Sequence, residues 1–97
     1  MNIQQLKQAF ENPEEHSRAI YHEAALLNEH MDVSLTKMIT QAMSLSLAKQ
    51  RGRGKYGWWE EEIISHADLV QKCRENLLSG SYIDVINYAA MLMARDI

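Results

Sequence analysis

His16, Glu23 and His30 recur every seven residues, so on a helix they share one face. Successive members lie about 10 Å apart along the axis, which is too far for one metal ion to be held within a single helix. A metal would have to be shared between chains, and an exposed polar stripe is the reading adopted. Cys73 stands on an apolar helical face with no base at helical spacing, which describes a buried structural thiol rather than a nucleophile. As the single cysteine, it also excludes an internal disulfide and any cysteine-based zinc site. No Ser-His-Asp order, phosphate loop or dinucleotide fingerprint occurs. The expectation is a protein that is not an enzyme, with no catalytic residues, no metal ligands and no cofactor.

The carboxylates offer one alternative. Glu11 and Glu14 are three residues apart, as are Glu29 and Asp32. This pattern is similar to that of the MazG-like nucleoside-triphosphate pyrophosphatases, all-α enzymes, and the resemblance implies magnesium held by carboxylates on facing helices. Pro13 falls inside the first pair, so Glu11 precedes the helix and cannot share a face with Glu14. The second pair sits beside Asp32-Val33-Ser34, where the helix is expected to break. Solvated surface is the preferred reading of both.

Lys49 to Glu62 gathers four of the ten basic residues, three of the four glycines and both tryptophans. Gly52, Gly54 and Gly57 deny this segment a helix and make it a loop carrying positive charge, then aromatic surface, then three carboxylates. Arg51, Arg53 and Lys55 beside Tyr56, Trp58 and Trp59 could track a phosphate backbone and stack on unpaired bases. The same residue types dominate the energetic centres of protein interfaces. Glu60, Glu61 and Glu62 would repel a nucleic acid next door, so protein contact ranks above single-stranded nucleic acid. One tryptophan is expected to fold back and pin the loop, and the other to face a partner.

These residues must be positioned by helices, since nothing alternates with a strand period for long. Ile3, Leu6 and Phe10 predict a short helix over 3–10. Asn12-Pro13-Glu14-Glu15 supplies a cap, a proline for the first turn and a following acid, so a second helix should begin at 13. Ile20, Ala24, Leu27, Met31, Leu35, Met38 and Ala42 then form an unbroken apolar stripe. One helix from 13 to 49 would be roughly 55 Å long. Asp32 and Ser34 could each cap a new helix, and a chain this small leaves little protein to cover so long a stripe. Helices over 13–31 and 33–49 are therefore expected as a long or kinked central pair. Beyond a loop over 50–64, Ser65-His66-Ala67-Asp68 starts a helix over 65–79 that Gly80 stops, and Ser81-Tyr82-Ile83-Asp84 repeats the device for a helix over 82–96. The fold class is thus all-α, a single domain over 1–97 with a carboxy-terminal helical hairpin.

A chain of 97 residues buries only about 60–65% of the surface its unfolded form exposes, so a partner or a second copy is expected to complete the core. Six methionines against one phenylalanine give adaptable apolar surface, and Met31 and Met38 are added to the candidate partner-binding residues. A net charge of −3 argues against a dedicated nucleic-acid coat. The amino terminus lacks the regions of a signal peptide and no run of residues reaches membrane-span length, so a cytoplasmic protein without membrane contact is expected.

Arg51-Gly-Arg-Gly-Lys-Tyr-Gly-Trp-Trp59, followed by Asp84-Val-Ile-Asn-Tyr-Ala-Ala-Met-Leu92, resembles the carboxy-terminal signature of small early-region proteins of temperate phages and prophages. In those a Gly-Gly-Trp segment precedes a helix, then a Gly-Asp-Pro turn, an Asp-Val-Ala-Asn-Phe run and a Met-Leu-rich end. Gly80-Ser81-Tyr82 departs from the Gly-Asp-Pro turn, and the similarity covers under half the chain. The resemblance implies an accessory protein of the host bacterial cytoplasm that binds and modulates or inhibits a host protein complex. A DNA-processing or recombination nuclease such as RecBCD is the target it implies.

Overall fold

The computed structural model describes residues 1–12 and 18–96 and is all-α there. Four helices follow one another, α1 (Ile3–Glu11), α2 (Arg18–Gly52), α3 (His66–Ser79) and α4 (Tyr82–Arg95). Pro13, Glu14, Glu15, His16, Ser17 and Ile97 lie outside the described residues, and with them the expected start of the second helix and one member of the histidine stripe. The chain divides into two compact units, Met1–Met38 and Ile39–Ile97.

In the first unit α1 is firmly started. Asn2 accepts from the Gln5 backbone N–H at 2.8 Å while the Gln5 side chain accepts from the Asn2 N–H at 3.0 Å, a reciprocal cap that satisfies two donors with no helical partner. Ala9 of α1 and Ala24 of α2 are fully buried, and Phe10 meets Tyr21 edge to face with ring centroids 6.1 Å apart.

α2 runs unbroken through Asp32-Val33-Ser34, which corrects the expected break into helices over 13–31 and 33–49. Two local bonds explain the difference. The Asp32 carboxylate accepts from Asn28 Nδ2 one turn earlier at 3.1 Å, and the Thr36 hydroxyl donates to the Val33 carbonyl at 2.9 Å. Asp32 is thus used as an i,i+4 partner inside the helix rather than as a cap. The concern about coverage reappears as exposure, for Leu27, Met31, Leu35 and Met38 all stand out to solvent.

The second unit is built on the α3–α4 hairpin, whose core centres on fully buried Leu69. Ser65 caps α3 by accepting from Asp68 N–H at 3.1 Å. Gly80 ends the helix in the left-handed conformation at φ 79°, and the Ser81 N–H returns to the Asn76 carbonyl at 2.9 Å. Ser81 does not repeat the Ser65 cap. Its side chain makes no bond to the α4 backbone and pairs instead with the Ser79 hydroxyl at 3.3 Å. Leu77 of α3 and Met93 of α4 are exposed.

Candidate functional site

The loop begins later than expected, because Gly52 is the last residue of α2 and only Gly54 and Gly57 adopt positive φ, at 80° and 78°. Past the helix end, the N–H groups of Arg53 and Lys55 both return to the Gln50 carbonyl, at 3.0 and 3.1 Å. The chain then turns at Gly57, whose carbonyl accepts from the Glu60 N–H at 3.0 Å.

What fixes this loop is Arg95 at the end of α4. Its Nε donates to the Trp58 carbonyl at 2.7 Å, one Nη to the Ile64 carbonyl at 2.6 Å and the other to the Glu61 carboxylate at 3.0 Å. The Arg95 side chain is almost wholly buried. Glu61 in turn accepts from the His66 N–H at 3.0 and 3.1 Å, so one carboxylate ties the loop to both the start of α3 and the end of α4. A planar guanidinium with five fixed donors suits three acceptors that a lysine could not reach together. Glu61 is thus absorbed into the clasp.

The two tryptophans divide in exposure. Trp58 is half-buried and meets Trp59 edge to face at 5.7 Å, while Trp59 is 60% and Tyr56 75% exposed. Arg51, Lys55, Tyr56, Trp58 and Trp59 all line one groove of about 570 Å³, into which Gln50, Lys72, Asp84, Asn87 and Tyr88 also face. Of the remaining candidates, Arg53 is exposed outside the groove lining, and Met31 and Met38 belong to the other unit. Three cations against one carboxylate make the groove locally positive on a chain of net charge −3. The pattern of cationic and aromatic side chains suits binding, by contact with an acidic or aromatic surface.

Sequence reasoning passed over Gln50, Asn87 and Arg95. Asn87 is only 3% exposed and donates to the Ser46 hydroxyl at 3.0 Å, leaving its Oδ1 without a partner, as is Gln50 Oε1. A polar residue in the middle of the apolar run of α4 was the available signal for Asn87. Arg95 gave no local signal, since its acceptors are 31–37 residues away.

Glu11, Glu29 and Asp32 are exposed, and Glu14 lies outside the described residues. Among the described residues no three or more of His, Cys, Asp and Glu come together as a metal site, and no helix is long and apolar enough to cross a membrane.

Burial pushes the Cys73 thiol up from its ordinary 9.0. Burial, then the Asp84, Cys73 and Glu75 charges, pushes the Tyr88 hydroxyl up from 10.0. Both are acids held more tightly protonated in the folded chain. Above 9.0 the unfolded chain releases a proton that the native chain keeps, so stability is full below that pH and declines as pH climbs through 9.0 and then 10.0. Urea unfolding on either side of the ordinary thiol value should show this fall, and Cys73→Ala should remove its first part. A stability that rises through this range would contradict the assignment.

No protein-family model, no curated protein and no solved structure matches this chain.

Proposed function

We propose that this chain is a non-enzymatic, phage-type accessory protein that binds a larger host protein or protein complex and modulates or inhibits it. The contact is made through the loop after α2. One observation carries the reading: Trp59 and Tyr56 are largely exposed on a loop whose backbone is clasped by a buried arginine. A large apolar ring left in water is unfavourable for the free protein, and a rigid loop loses little entropy on docking, so both features favour association. Arg51, Arg53 and Lys55 steer the loop towards an acidic surface. A DNA-processing or recombination nuclease, RecBCD among them, is the target class that the early-region resemblance suggests. Met31 and Met38 are exposed on the first unit.

The test is capture of host proteins from a bacterial lysate on the immobilised protein, with Trp58→Ala and Trp59→Ala compared side by side. Trp59→Ala should lose the captured protein, a cost above about 2 kcal/mol, while melting like wild type. Trp58→Ala should melt earlier, because its ring is half-buried. Full capture by the Trp59 variant would sink the reading. So would tight binding of single-stranded DNA whose logarithmic salt slope falls by about 0.7 for each of Arg51, Arg53 and Lys55 removed.

A further inference from the structure

Along the first unit's part of α2, Ala24, Leu27, Met31, Leu35 and Met38 stand in one row at steps of 3, 4, 4 and 3 residues. Ala24 is fully buried, so the exposed part is Leu27, Met31, Leu35 and Met38, in which Leu27 and Leu35 stand four residues on either side of Met31. Met31 is 58%, Leu35 57% and Met38 67% exposed, and the row carries no charge. An interface between identical copies related by a twofold axis needs a patch that complements itself under reversal. We infer that this face docks a second copy of the chain, with the two α2 helices antiparallel and the twofold axis at Met31.

In that arrangement Met31 meets Met31 of the second copy and Leu27 meets Leu35. Met38 arrives at the level of Ala24, the smallest side chain of the row. Ala24 is buried, and beside it Phe10 and Tyr21 keep part of their rings exposed. A flexible methionine thioether suits such an aromatic rim. The flanking charges favour the same direction, two Glu23–Lys37 pairs on one flank outweighing one approach of Asp32 to Asp32 on the other. Glu23 and Lys37 are 14 residues apart, hence on one flank of the row. Antiparallel pairing brings Lys37 of each copy near Glu23 of the other, whereas parallel pairing keeps like charges level. The row is only about 20 Å long, which places the contact at the small end of specific interfaces. The contact uses no residue of the aromatic loop.

The experiment combines sedimentation of the wild-type chain with disulfide trapping in a Cys73→Ala background. Wild type should pass from monomer to dimer as concentration rises, and Leu35→Lys should stay monomeric with unchanged helical content. A disulfide needs Cβ atoms about 4 Å apart, so under mild oxidation Met31→Cys should link to itself at least about tenfold faster than Met38→Cys. Leu27→Cys mixed with Leu35→Cys should link to each other faster than either links to itself. The inference is overturned if wild type remains monomeric at all concentrations, or if Met38→Cys links to itself as fast as Met31→Cys.

Discussion

Replacing Arg95 by alanine should lower the unfolding free energy by about 3–4 kcal/mol, and the melting temperature by at least about 12 °C. The guanidinium donates to two backbone carbonyls at 2.6 and 2.7 Å and to the Glu61 carboxylate at 3.0 Å, in surroundings that leave the arginine side chain 11% exposed. Without it the Trp58 and Ile64 carbonyls lose their close donor. A part-buried acceptor stripped of its partner costs about 1–3 kcal/mol, more than an ordinary hydrogen bond contributes when both partners are present. The Glu61 ion pair matters less, since that side chain is 65% exposed and solvent screens the attraction. Glu61→Gln should therefore cost under about 1 kcal/mol, and Arg95→Lys should recover less than half of the alanine loss, because one ammonium cannot span the fork. Urea unfolding of the three variants measures this ordering. An alanine variant that unfolds at the wild-type midpoint would show that the clasp contributes nothing.

Gly57→Ala should destabilise by about 2–3 kcal/mol, whereas Gly54→Ala should cost only about 1. Both glycines adopt left-handed backbone, at φ 78° and 80°, so both substitutions carry the conformational penalty of a side chain there. Their surroundings differ. A Cβ at Gly57 would sit 2.5 Å from Ile63 Cδ1 and 3.1 Å from its Cγ2, while at Gly54 nothing lies within 4 Å. The difference between the two variants therefore isolates the steric contribution, and adding Ile63→Val to Gly57→Ala should restore part of the loss by removing Cδ1. Equal destabilisation at the two sites, read from thermal or urea unfolding, would refute the close approach of Gly57 to Ile63.

The all-helical class, the Ser65 start and the Gly80 stop of α3 were legible because each rests on residues within one turn of the other. The Asn2 and Gln5 cap is written in the same local code, three residues apart, though the short run of α1 gives it little apolar pattern to stand against. The continuity of α2 was less legible. Asp32 can cap a helix or pair with Asn28, and nothing nearby in sequence decides between them. The aromatic and basic residues of the loop were legible as a cluster by type, but the groups that set its geometry lie far along the chain. Arg95 joins Trp58 across 37 residues and Asn87 joins Ser46 across 41, and such pairings follow from helix packing rather than from any spacing.

The distance in sequence between the loop and its clasp has a consequence in time. Arg95 is translated 37 residues after Trp58, which at about 5–20 residues per second is roughly two to seven seconds. Until α4 folds back, both tryptophans and Tyr56 stand on a segment that lacks its clasp. The loop therefore reaches its fixed arrangement only once α4 has been synthesised and folded back, so incomplete chains carry the aromatic residues without it.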